Sequence, residues 1–348
     1  MPTTRSLRHA VTHPRSAVVG AALAALLTLA PAAHAARVTL ANWDRGAQRA
    51  VVRAGVLPDL DGGFAGDRPL AATDLRGALA ALAARDGTTP PPAPTGGTVT
   101  VAGFDRLLVE QLGLADVADA VQHEAWRAGL DPPSRFGTEV VARYLGLRFN
   151  HPAAQDALEL YPWQPITRAE AAFSLARVLG FDGWEAQDAR ATFAAFQLPD
   201  YTAAQREVLR IAVSKIGMPY IWGGTSDQPQ WLFGQDVQGG YDCSGFAWRV
   251  YKLSGLAWGL QIHGRTAAQQ AGEIPCSQRI RLGDVQPADL LFFGPGRFWQ
   301  RATERRIVHE AIALSPDWAI HSSAEGVYIL PLWQGWLHDG FSWARRVL

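Results

Sequence analysis

The sequence predicts an α+β protein: a mainly helical first half, then a domain in which helices pack on an antiparallel sheet. Three observations carry this reading. Residues 36–195 place apolar side chains at helical spacing. From about Tyr201 the composition changes, and nine of the thirteen tryptophans fall between there and the C-terminus. That final part opens with helix starts and ends with apolar residues alternating on either side of a tight turn, which is the period of strands.

The chain has 348 residues, 48% of them apolar, enough for two domains and a sizeable core. Its formal net charge is zero and it has no acidic or basic block, so nothing favours nucleic acid or an anionic membrane as a partner. Two cysteines cannot build a disulfide framework.

Residues 1–35 read as a secretory signal peptide. Arg5, Arg8 and Arg15 precede an apolar run from Ala17 to Ala33, and Ala33-His34-Ala35 has the small-x-small form of a cleavage site. An uncleaved anchor is the competing reading of the same run. No cysteine follows it for lipid attachment, and no later stretch approaches a membrane-spanning length. The expectation is an exported protein, secreted or held at the cell wall, with no membrane contact after cleavage.

The helical half reads as a unit over 36–87, a Pro/Gly linker over 88–97 ("TTPPPAPTGG") and further units over 98–197. In "PITRAEAAFSLARVLG" Thr167 and Glu170 are read as a capping box. Ala172, Leu175, Ala176 and Leu179 then share one helical face and Gly180 ends it. The stretch "GVLPDLDGGFAGDRPLAATDLRGALAALAA" has the same plan of Gly-rich loop, Pro-Leu and helix, which suggests a divergent repeat. Asp59-Leu60-Asp61-Gly62 does not make a calcium loop, because Gly63 stands where a third oxygen ligand is needed.

These units resemble the S-layer homology module, a helical module that binds wall polysaccharides. Ile166-Thr167-Arg168-Ala169-Glu170 matches its helix start in full; Leu70 to Asp74 keeps only the ends, and a middle unit around Gly129 to Leu147 is fainter. The resemblance implies that Arg168 faces a wall polymer. A plain helical spacer accounts for the same residues.

In the final part, 201–348, Thr202 and Gln205 form another capping box, and Leu209, Ala212, Val213 and Ile216 line the helix after it, stopped by Gly217 and Pro219. A Gly-rich loop then leads to "GGYDCSGFAWRVYK", where Phe246, Val250 and Leu253 recur at helical spacing, so a helix begins near Cys243. A helix N-terminus offers free N–H groups and the positive end of the dipole, which favour a thiolate and can hold an oxyanion. Polar neighbours Asp242 and Ser244 argue against a merely packed cysteine. The base must be a histidine. In "RIVHEAIALSPDWAIHSS" His309 and His321 number to a midpoint at Ser315, and as a hairpin this sets them roughly opposite each other on one face. Glu310 alternates to the far face, so little catalytic effect is expected of it.

Four blocks in order, Pro219 to Gly224, Asp242 to Phe246, Asp289 to Phe293, and His309 with "AIHSS", resemble the NlpC family of papain-like cysteine peptidases, which cut bacterial wall peptides. The resemblance implies a papain-like fold with Cys243 as nucleophile, His309 as base and His321 as the third polar residue. It implies that Tyr220 sits beside the cysteine and assists the oxyanion amides, and that Asp242 and Ser244 help hold the free amine of a stem peptide. It implies peptidoglycan as substrate, typically the bond from the γ-carboxyl of D-glutamate to a diamino acid, a secondary wall polysaccharide as a partner of the N-terminal half, and no cofactor. A wall amidase or acyltransferase of related fold, or a catalytically dead wall-binding protein, remain alternatives. Three departures stand out: a long loop carrying Trp231 and Phe233, Ala288 where a glycine usually precedes Asp289, and Glu310 after the histidine. Cys276 matches no motif.

Overall fold

Three short extended segments organise the first half. In a computed structural model, which describes residues 43–348, these are residues 69–71, 98–100 and 165–167. The expected signal peptide and cleavage site lie outside the described residues. Ala71 pairs with Thr98, Thr100 with Pro165, and Thr167 with Pro69, so the segments close into a ring. Its hydrogen bonds include Leu70 N–H to the Ile166 carbonyl and Ile166 N–H to that of Val99, each 2.8 Å. Leu70, Val99 and Ile166 hold matching places and all three are buried.

Each segment feeds a helix: α2 (Ala72–Asp86), α3 (Val101–Gln111) and α6 (Arg168–Leu179), while α1 (Arg45–Arg53) packs against α6. Thr100 and Thr167 cap their helices by accepting from the amides three residues on, satisfying N–H groups that a helix start otherwise leaves free. The middle repeat therefore begins at Thr98, and the expected place around Gly129 to Leu147 falls instead on α5 (Phe136–Tyr144), which pairs with α4 (Ala115–Arg127). A seventh helix, α7 (Trp184–Phe193), closes this half.

Two expectations at the start of α6 are corrected. Arg168 is 1% exposed: its guanidinium donates to Asp74 (2.5 Å) and to the carbonyls of Phe64 (2.9 Å) and Pro58, and it lies over the Phe64 ring. It ties the third segment to the first and offers nothing to a polymer. Glu170 does not reach back to complete a capping box. Its carboxylate turns inward to Arg148 (2.9 Å) and His151 (3.1 Å), because two buried cations there need an anion more than one amide does.

The second half opens with α8 (Ala203–Ser214), whose Thr202/Gln205 capping box forms as read, with Thr202 N–H to Gln205 Oε1 at 3.0 Å. Four short strands come next: β1 (Thr225–Ser226), β2 (Gln230–Leu232), β3 (Gln235–Val237) and β4 (Gly240–Tyr241); β1 pairs with β4 and β2 with β3. Then come α9 (Cys243–Tyr251), α10 (Ala267–Gly272), β5 (Leu290–Phe293), β6 (His309–Ala313), β7 (Trp318–Ser323), β8 (Gly326–Pro331), α11 (Gly335–Asp339) and β9 (Phe341–Arg345). The last five strands form one antiparallel sheet in the order β8-β7-β6-β5-β9. One face, with Phe292 and Ile312, packs with Phe246 and Val250 of α9; the other, with Leu291, Phe293 and Ala311, packs with Val285 and Leu337.

The two halves share a core. Helix α5 packs against β8, and Phe193 and Phe196 pack on the ring of Trp318, fully buried in β7. Among the described residues no helix is long and apolar enough to cross a membrane.

Candidate active site

Cys243 is the first residue of α9 because Asp242 caps the helix. Asp242 Oδ1 accepts from Gly245 N–H (2.5 Å) and Oδ2 from Gly223 N–H (3.0 Å). One carboxylate thus fixes both the helix start and the Trp-Gly-Gly turn. Gly223 stands at φ 76°, and the ring of Phe233 lies where a Cβ on it would be, at 2.8 Å, so only glycine fits. Arg265 grips the same carboxylate with both Nη atoms (3.0 and 2.9 Å) and also reaches Ser244 Oγ (3.0 Å).

Asp242 and Ser244 are therefore corrected from their expected role. Both Asp242 oxygens are occupied, Ser244 is buried, and a substrate amine would have to displace Arg265. They frame the cysteine. Burial, with the charges of Cys243 and Asp242 nearby, pushes the Tyr220 phenol well above its ordinary range, so it keeps its proton.

The candidate base comes from the hairpin. His309 Nε2 lies 2.9 Å from His321 Nδ1, with the rings perpendicular and both residues buried. The shared face was legible, but the register was not: Ile312 pairs with Ile320 and Ala313 with Ala319, so the hairpin centres on Pro316 rather than Ser315. Continued along the strands, this sets His321 across from Ala311, one diagonal step from His309, still within reach. Trp336 of α11 stacks edgewise on His309 (4.9 Å), and Tyr328 lies under His321 (4.3 Å).

The role expected of His309 selects one tautomer of this pair. For His309 to take a proton at Nδ1, its other nitrogen must carry the hydrogen and donate it to His321 Nδ1. Burial pushes His309 down to about 3 and His321 well below its ordinary range, so both rings are neutral at rest.

The thiol does not behave as a helix start alone would suggest. Burial pushes Cys243 well above its ordinary range and the carboxyls of Asp242 and Glu310 add to this, while the amides of Ser244 and Glu310 hydrogen-bond to the sulfur and oppose it. Cys243 keeps part of its surface open, so water relieves some of the burial, yet the direction stands because the nearest side-chain charges are negative. The resting pair is thiol and imidazole. The amide of Glu310 on the sulfur also sets Cys243 directly beside His309 in the chain.

The first half braces the site, which the sequence did not indicate. Asn150 Nδ2 donates to the Tyr220 carbonyl (2.9 Å), and Asp156 Oδ2 accepts from Trp222 N–H (2.9 Å). Tyr161 Oη accepts from Gly239 N–H (2.6 Å). Arg265 was also missed, although it immediately precedes a capping box, Thr266 with Gln269, that pattern reading could have found. The long loop forms the β2–β3 hairpin, whose tip places Phe233 over Gly223. Ala288 adopts φ 67°, the left-handed conformation that glycine takes without strain, which accounts for the residue usual there. Cys276 is an exposed free thiol. Among the described residues no group of His, Cys, Asp or Glu side chains is arranged to hold a metal ion.

Residues 217–346 match the NlpC/P60 family model. A probable endopeptidase of Mycobacterium tuberculosis is 29% identical over 133 residues, 38% of this chain and 27% of that one. The gamma-D-glutamyl-L-lysine dipeptidyl-peptidase of Bacillus subtilis is 30% identical over 87 residues, 25% of this chain and 23% of that one. The matches thus span about a quarter of the length of these relatives. Among solved structures, an NlpC/P60 family protein from Bacillus cereus is 27% identical, with 44% of this chain and 42% of that one covered and a TM-score of 0.32. The NlpC/P60 domain of the peptidoglycan hydrolase SagA is 24% identical, with 41% and 97% covered and a TM-score of 0.29. The C-terminal part of the chain is an NlpC/P60 domain.

Proposed function

We propose that the NlpC/P60 domain is a cysteine peptidase that hydrolyses peptidoglycan stem peptides, at the bond from γ-D-glutamate to the diamino acid. The observation that carries this reading is Cys243 at the head of α9, beside a buried His309–His321 pair joined at 2.9 Å.

The reaction follows from the resting charges. As substrate enters, Cys243 gives its proton to His309 Nδ1 and its sulfur attacks the carbonyl carbon. The Cys243 amide at the start of α9, which the Asp242 cap leaves free, faces the oxyanion with the Tyr220 hydroxyl. His309 then protonates the leaving amine, releasing it and leaving a thioester. Water, deprotonated by His309, attacks the thioester, and the acid product departs as the sulfur is reprotonated. His321 accepts from His309 Nε2 throughout and holds the ring.

Digestion of purified peptidoglycan with the full chain and with Cys243→Ala tests this. Mass spectrometry of the soluble products should show new γ-D-glutamyl and diamino-acid ends with the wild type only. New ends at the sugar–peptide link would indicate an amidase, a transferred acyl group an acyltransferase, and no release at all a dead wall-binding protein.

The proposal includes export and wall association. Its support is the Arg-flanked apolar run before Ala33-His34-Ala35 and the three-segment ring, two of whose segments fall at the helix starts read as repeats near Leu70 and Ile166. Secreted protein should begin near Ala36; an intact Met1 counts against export. Full-length Cys243→Ala should sediment with cell walls and be released by free wall polysaccharide; protein that stays in the supernatant leaves the first half as a brace for the catalytic domain only.

A further inference from the structure

Glu310 follows the base in the chain, on the strand face that packs toward α9. It is fully buried, and neither carboxyl oxygen has a hydrogen-bond partner. A buried ion without a partner is among the most costly arrangements in a protein, so this carboxyl needs another explanation.

Its surroundings supply one. Its backbone amide reaches the Cys243 sulfur, and the charges that act on its carboxyl are those of Asp242 at the cap of α9, Arg265 and Glu273 around α10, and Arg345 of β9. Across β5 it faces Phe292, which is apolar. Ser322, which the hairpin register brings alongside from β7, spends its hydroxyl on the Tyr241 carbonyl at 2.7 Å. Arg265 is committed to Asp242 through both Nη atoms, and Arg345 to Glu273 at 2.6 Å. Three carboxyls therefore share two guanidiniums, and each guanidinium has already chosen. The surplus carboxyl is Glu310, which stays neutral by keeping its proton.

We propose that Glu310 is a positioning residue that remains protonated while Cys243 works, and that its ionisation withdraws the thiolate from use. Neutral Glu310 leaves its backbone amide as the feature it presents to the sulfur, which favours the thiolate. Once it loses its proton to solvent, a negative charge lies behind the sulfur with no free cation to absorb it, and the thiol holds its own proton more tightly. The strand alternation that takes Glu310 off the His309 face sets it behind the nucleophile instead. The direction of its titration agrees: burial and the charge of Asp242 both push it well above the ordinary carboxylate range.

The inference rests on Cys243 being the nucleophile, and one experiment separates the two. Iodoacetamide labelling of the full chain is followed against pH at Cys243 and Cys276 by peptide mass analysis, in the wild type and in Glu310→Gln. The expected result is a thiolate midpoint at Cys243 about one pH unit lower in Glu310→Gln than in the wild type. The infrared difference spectrum at neutral pH, wild type minus variant, should also show the loss of one protonated carboxylic acid band. If Cys243→Ala digests peptidoglycan like the wild type, the nucleophile is wrongly assigned. If Cys243→Ala is inactive but the labelling midpoints coincide, or no acid band is lost, Glu310 has no such role. Should Glu310→Gln fail to fold, Glu310→Met replaces it with the same readouts.

Discussion

The two halves of this protein bury titratable side chains in opposite ways. In the first half His151 sits between Glu159 (3.0 Å) and Glu170 (3.1 Å), with Arg148 on the far side of Glu170. Burial alone would push His151 down, but its two carboxylate partners overcome this and raise it to about 9. In the second half His309 and His321 have only each other, and burial drives both down. Depth is similar and partners differ, so partner charge decides which histidine is an ion. A paired ion is held in one state and serves structure. A neutral ring keeps a nitrogen open to accept a proton and serves chemistry.

Turnover separates the halves most widely. Cys243→Ala should abolish hydrolysis and His309→Ala should lower it by about 10²–10⁴-fold, neither leaving a buried charge unpaired. Glu170→Ala should do the reverse. It strands Arg148 and His151 and should cost about 3–5 kcal/mol in urea unfolding, with hydrolysis retained below the unfolding transition. A Glu170→Ala protein as stable as the wild type would dissolve the contrast.

A graded effect is expected within the neutral pair. His321→Asn and His321→Gln should keep part of the turnover, since either side chain can accept from His309 Nε2, and His321→Ala should lose substantially more. If His321→Ala turns over like the wild type, the third group lies elsewhere.

The smallest effects should appear in the pH dependence of stability, with opposite signs. His151 is raised from the ordinary 6.5 to about 9, so its contribution is complete below pH 6.5 and is lost as pH rises toward 9. Asp105, raised to about 7 by burial and by Glu139, adds to the loss between pH 3.8 and 7. His309 is lowered to about 3, so its contribution is present above pH 6.5 and is lost as pH falls toward 3. Urea midpoints across pH should show His151→Gln flattening the alkaline side and His309→Gln the acid side. The same change in both variants would overturn the assignment.

The sequence revealed local signals and missed distant ones. Cys243 at a helix start was legible because Asp242 caps it and Phe246 and Val250 keep the helical period, all within a few residues. The shared face of His309 and His321 followed from alternation. The hairpin centre did not, because Ser315 N–H joins Leu314 N–H on the Trp318 carbonyl and so enters a three-residue turn. Glu170 and Arg168 were misread for one reason: each carries a good local role, but its partners lie about 20 residues away for Glu170, at Arg148 and His151, and 94 for Arg168, at Asp74. Glu310 gave no signal at all, since its setting depends on how two arginines from other elements are already paired.

The three-segment ring changes what the Pro/Gly stretch between Thr88 and Gly97 is. It joins two members of a closed circuit that is also fastened by the third, and by Arg168 reaching across to Asp74 and Phe64. A protease that cut this exposed strap would therefore not free the preceding helix. The nicked protein would migrate as one species under native conditions and as two only after denaturation. In an environment rich in peptidases, the strap can be severed without the molecule coming apart.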